Sequence, residues 1–150
     1  MDTPFVYDRY VIDRNFIGRK AECNTLRNLL SGKEDVAIYE PPKSGKMSII
    51  QQALFGMRIS GLKFSVCELN LFNVRDKNRF LTKFGSSVIR SVASTPEEYE
   101  DIIADLLAGT HFVFDRQRFS LSDEVVSLNW DADMDDMLGM LRLPQKLAGK

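Results

Sequence analysis

Metal-ligating side chains are scarce in this sequence. Its 150 residues include two cysteines, Cys23 and Cys67, and one histidine, His111, with no Cys-x-x-Cys or Cys-x-x-His spacing. That excludes a zinc site of the finger or ribbon kind, and each cysteine reads as a small buried hydrophobe. Neither sign of charge is in excess: the formal net charge is −1. There is thus no basic stripe of the kind that displaces counterions from DNA or RNA, and no nucleic-acid partner is expected. No run of 18 apolar residues occurs, and the opening MDTPFVYDRYVIDR has no basic segment followed by an apolar one. The chain therefore reads as cytoplasmic, with no membrane partner. Internal repeats, low-complexity tracts and an interdomain linker are also missing. What remains is the balance of an ordinary globular protein, 44% hydrophobic and 27% charged, long enough for one domain with its own core.

Residues 1–15 read as an extended lead-in, with Phe5, Tyr7 and Tyr10 set among charges. From Ala21 the pattern is helical: Cys23, Leu26 and Leu30 share a face, Leu29 lies beside them, and Gly32 is the stop. DVAIYE, residues 35–40, predicts a short buried strand. After Gly45 a second helix is expected, with Met47, Ile50 and Leu54 on one face and Ile49 and Ala53 next to it. LKFSVCELNLF, residues 62–72, predicts a second strand. A third helix should present Leu81, Phe84 and Val88, flanked by Phe80. The fourth is the clearest: Thr95 and Glu98 form a capping box, Pro96 takes the first helical position, and Tyr99, Ile102, Ile103, Leu106 and Leu107 make the apolar face. THFVFDRQRF reads as a strand or a turn, and NWDADMDDMLGMLRL as a loop with a capping aspartate and then a short helix. Strands alternating with helices predict an α/β fold whose parallel sheet is covered on both faces.

Between the first predicted strand and the second helix stands EPPKSGKM, residues 40–47. A phosphate-binding loop has the form GxxxxGK[ST] at this place between strand and helix. Inward-pointing amides wrap a phosphate, the helix start adds its positive dipole end, a lysine meets the outer phosphate oxygens, and a hydroxyl holds Mg²⁺. Gly45 and Lys46 are in register. Glu40 replaces the first glycine, and Met47 replaces the hydroxyl residue. A thioether is no ligand for a hard cation. Ser48 lies about 100° further round the helix and is no direct substitute. The candidate binding residues of the loop are Pro42, Lys43, Ser44, Gly45, Lys46, Met47 and Ser48.

Upstream, FIGRKAECNTLRNLL, residues 16–30, precedes this loop at the spacing found in one family. Residues 14–55 resemble the opening of the archaeal-type P-loop ATPases of the AAA+/STAND group, which pair an F-[IV]-G-R-x-x-E segment with a leucine-rich helix, a strand and a phosphate loop. The resemblance implies a P-loop NTPase fold, a three-layer parallel sheet. It implies ATP as the cofactor, Phe16, Ile17 and Gly18 near the adenine and ribose, and Lys46 on the phosphates. The departures at Glu40 and Met47 weaken the case for Mg²⁺ and for hydrolysis.

Such a hydrolase also needs an apolar strand ending in Asp-Glu, whose acids orient the metal and the attacking water. HFVFDRQ, ending its apolar part at Asp115, has Arg116 where the second acid belongs. The aspartates of DADMDD, residues 131–136, do not follow a calcium-loop pattern and read as a solvated helix start. No catalytic residue and no metal ligand is therefore assigned. In the resembling ATPases a segment like LRLPQKLAGK precedes the Asp-Glu strand, so residues 1–150 are expected to be the N-terminal portion of a longer ATPase domain. An incomplete sheet has open edges, which predicts self-association or a protein partner. The alternative expectation is a noncatalytic interaction scaffold that keeps the ancestral fold.

Overall fold

Two helix starts expected from the sequence, at Thr95 and at the aspartates before Met134, are present, and side-chain caps also open two further helices, one of them within the segment expected to be a strand or a turn. The computed structural model describes residues 19–39, 41 and 45–149. They divide between two compact units, Met1–Phe64 and Ser65–Lys150. In the second unit α3 (Lys77–Arg90) begins at Asp76, whose carboxylate accepts from the Arg79 amide at 2.8 Å. α4 (Pro96–Leu106) begins with the expected capping box: the Thr95 hydroxyl accepts from the Glu98 amide, and the Glu98 carboxylate accepts from the Thr95 and Ser94 amides. α5 (Arg116–Ser122) begins at Asp115, which accepts from the Gln117 and Arg118 amides. α6 (Met134–Leu141) begins with a second capping box, between Asp133 and Asp136. α7 (Leu143–Ala148) follows through Arg142.

These helices enclose one core built from Leu81, Val88 and Ile89 of α3, Tyr99 and Ile103 of α4, and Val125, Val126, Met140 and Leu143, among others. The predicted faces of α3 and α4 are the buried ones. α3 meets α6 at Gly85, where a Cβ would stand 2.5 Å from Met140 Cε; Met140 is itself fully buried, so the close approach needs glycine. Arg90 is a second tie. Its guanidinium lies over the rings of Tyr99 and Phe119, at 5.9 and 6.0 Å, and it donates to the Asp123 carbonyl oxygen and pairs with the Asp123 carboxylate.

In the first unit α1 (Lys20–Ser31) packs on α2 (Lys46–Ile59) through Cys23, Leu26, Ile49 and Ala53. Cys23 is buried as expected, whereas Cys67 is exposed. The buried face of α2 is Ile49, Ala53 and Met57, one residue round from the expected Met47, Ile50 and Leu54. Both faces carry apolar residues at helical spacing, and contact with α1 decides between them.

The three-layer parallel sheet is contradicted. Helix accounts for 57% of the described residues, and the only sheet among them joins β1 (Phe112–Val113) to β2 (Ser127–Leu128), antiparallel, with Phe112 opposite Leu128. Residues 35–39 and 62–70 are neither helical nor part of a ladder among the described residues. A parallel strand must be paired at its edges and covered on both faces. Here Tyr39 is 92% exposed and Phe72 88%. Short apolar runs of this kind do not by themselves distinguish a buried strand from an extended connection. No helix among the described residues is long and apolar enough to cross a membrane.

Candidate functional site

Gly45 caps α2 with φ 91° and ψ 10°, a left-handed conformation that a side chain opposes. A Cβ there would meet nothing within 4 Å, so the glycine is required by its backbone angles and not by crowding. Lys46 is the first helical residue, and the Gly45 carbonyl accepts from the Ile49 amide at 3.1 Å, closing the first turn. Gly45 itself has no side chain with which to cap this start. The opening amides of a helix have no acceptor within it, and they carry its positive dipole end. Lys46, Met47 and Ser48 are half-buried at this end, while Gly45 is exposed. Gly45, Lys46, Met47 and Ser48 are thus brought together, as their adjacency requires. Phe16, Ile17, Gly18, Pro42, Lys43 and Ser44 lie outside the described residues.

One element of the site is not apparent in the motif. An apolar groove of about 330 Å³ runs beside α1, walled by Ala21, Leu26 and Leu29 on that helix, by Val36 and Ile38 of the segment that follows it, and by Ile49 of α2. Ile49 stands three residues after Lys46, on the same side of α2 and about one turn along. The groove and the start of α2 therefore adjoin through the first turn of that helix. The signal in the sequence is the remainder of each apolar run: Leu29 beside the stripe of α1, and Val36 and Ile38 in DVAIYE.

Two acid-containing segments have structural duties instead. Asp115, considered as the acid of a catalytic strand, is the N-cap of α5. Asp136 is buried and joins α6 to the residue before β1: it accepts from the His111 amide at 2.8 Å, from His111 Nδ1 at 2.9 Å and from the Asp133 amide at 3.1 Å. Burial alone would push the Asp136 carboxyl up, but the hydrogen bonds from the His111 ring, the His111 amide and the Asp133 amide hold it below its ordinary value. The His111 ring is raised in turn, first by its hydrogen bond to Asp136 and then by the charge of that carboxylate. His111, Asp133 and Asp136 have ligand atoms within 4.8 Å of one another. Their hydrogen bonds are already committed to the α6 cap and the β1 approach, which is why the cluster reads as part of the fold.

No protein-family model matches the sequence, and neither a curated protein nor a solved structure matches it significantly.

Proposed function

We propose that the chain is an ATP-binding module that holds the nucleotide at the start of α2 without hydrolysing it. Lys46 and the first amides of α2 meet the phosphates, and the groove beside α1 takes the base. The observation that carries this reading is their junction. A helix start that follows a left-handed glycine and has a lysine at its first position shares one helical turn with an apolar groove, which suits a ligand with one anionic end and one flat apolar end. The resemblance of residues 14–55 to archaeal-type P-loop ATPases points to ATP among such ligands. Met47 stands where a Mg²⁺-binding hydroxyl would be needed, so the reading includes little dependence on the metal.

Titration calorimetry of the purified chain with ATP tests it, with and without Mg²⁺, alongside Lys46→Ala. The expected result is binding that the substitution weakens at least about tenfold, the size of one charge-assisted phosphate contact. Absence of binding at millimolar ATP would overturn it.

A second reading, a noncatalytic protein-interaction scaffold, is favoured by one observation. The described residues have no parallel sheet behind the loop, which is the support that a phosphate loop has in the resembling enzymes.

A further inference from the structure

Five of the eight residues of α6 are apolar, and they lie on more than one side of the helix. Only one side is covered. Asp136 and Met140 are buried, and Gly139 lies so close to Thr110 that a Cβ would stand 2.9 Å from its methyl group. On the opposite side Met134 is 66% exposed, Leu138 42% and Leu141 48%. Their spacing of four and then three residues places all three within an arc of about 60°. They form one apolar stripe along the full length of the helix.

The charges beside the stripe indicate what would cover it. Asp135 and Arg142 are seven residues apart, hence on the same flank and about two turns from each other. Both are exposed, and neither forms an ion pair among the described residues. Consider a second copy of α6 laid against the stripe. Parallel packing about a two-fold axis along the helices sets the two charged flanks on opposite sides of the seam, so neither Asp135 nor Arg142 meets an opposite charge from the other copy's flank. Antiparallel packing about a two-fold axis near Leu138 sets each Asp135 beside the other copy's Arg142, and each Met134 beside the other copy's Leu141. Both charges then find opposite partners, twice over by symmetry. A two-fold interface demands this self-complementarity of one surface patch.

We propose that the exposed stripe of α6 is a homodimer interface, in which α6 pairs antiparallel with α6 of a second copy. This route differs from the pairing of open strand edges expected from the sequence, and it is independent of nucleotide binding. A stripe of three apolar side chains on an eight-residue helix is small. It belongs with interfaces under about 1,200 Å², which are weak and transient. The dimer should therefore depend on concentration, and its rim charges should make it sensitive to salt.

Sedimentation equilibrium on the full chain, from about 10 µM to about 1 mM, should show the mass rise from 17.1 kDa toward twice that value. Leu138→Asp should weaken association about tenfold or more. Leu138 is already part-exposed, so unchanged far-ultraviolet circular dichroism should confirm that the variant is folded. The decisive measurement uses charge. Asp135→Lys alone and Arg142→Glu alone should each stay monomeric, while an equimolar mixture of the two variants should associate. A chain that is monomeric throughout the range overturns the proposal. So does a dimer indifferent to Leu138→Asp, which would place the contact elsewhere, or a mixture that associates no better than its components.

Discussion

The two units start their helices in different ways. In the C-terminal unit α3, α4, α5 and α6 each follow a residue with extended backbone whose side chain accepts from the first turn, Asp76, Thr95, Asp115 and Asp133, and only α7 follows a helical residue, Arg142, that gives no such cap. In the N-terminal unit α1 and α2 follow Arg19 and Gly45, both left-handed, and neither of these residues caps its helix with its own side chain. The residue types explain the split: aspartate and threonine carry an oxygen that accepts from the amides two or three residues on, whereas arginine has no acceptor and glycine no side chain. Burial divides the same way. Among the described residues the C-terminal core has thirteen buried members and the N-terminal one has four. The C-terminal unit caps four of its helix starts with its own side chains and encloses the larger core; among the described residues the other has a glycine at the start of α2 next to an apolar groove. A ligand has something to supply in the second and little to add in the first.

The largest expected effect that tests this contrast is on core packing. Ile89→Ala, at a fully buried position of α3, should destabilise the protein by about 2–5 kcal/mol in urea unfolding. Leu26→Ala, in the four-member core, should fall at the low end of that range; equal losses would erase the distinction. Next comes capping. Thr95→Ala removes one side of the α4 box and should cost about 1 kcal/mol by the same measurement. A change of opposite sign is expected at Ser127, whose hydroxyl is buried with no hydrogen-bond partner among the described residues. Ser127→Ala should leave stability unchanged or raise it by up to about 1 kcal/mol, because a polar group without a partner is released from its burial.

The finest probe is pH. A raised His111 value means that its contribution to stability is complete below the ordinary imidazole value of 6.5 and is lost as pH rises through the folded-state value. A lowered Asp136 value means that its contribution is present above the ordinary carboxyl value of 3.8 and is lost as pH falls through the folded-state value. The pair thus supports the C-terminal unit most in mildly acidic solution. Proton NMR of the single imidazole should give a midpoint above 6.5, and Asp136→Asn should move it down. A midpoint at or below the ordinary value in the unaltered protein would remove the link between α6 and β1.

The same division governs what the sequence disclosed. The capping signals of α4 and α6, the apolar faces of α3 and α4, and the stop at Gly32 could be read directly, because each depends on residues within a turn or two of one another. The strands could not. Whether residues 35–39 belong to a sheet depends on pairing partners far along the chain, and an apolar run of that length is compatible with either outcome. For the same reason the buried face of α2 came out one residue off: contact with α1 selects Ile49, Ala53 and Met57. At the candidate site, Gly45 and Lys46 were identified by their letters. The groove beside them was not, since it arises only where α1, α2 and the segment between them come together. The stripe on α6 is present in the sequence as Met134, Leu138 and Leu141 at the spacing of one helical face, but its exposure depends on how α6 packs against the rest of its unit.

Trp130, the only tryptophan, is 70% exposed, and its ring lies beside that of the only histidine, with centroids 6.4 Å apart and the planes tilted by 42°. An imidazolium near an indole quenches its emission, whereas a neutral imidazole does so much less. The protein therefore carries a built-in optical indicator. Its intrinsic fluorescence should brighten as solutions are made more alkaline, tracing the protonation of one known side chain with no label attached.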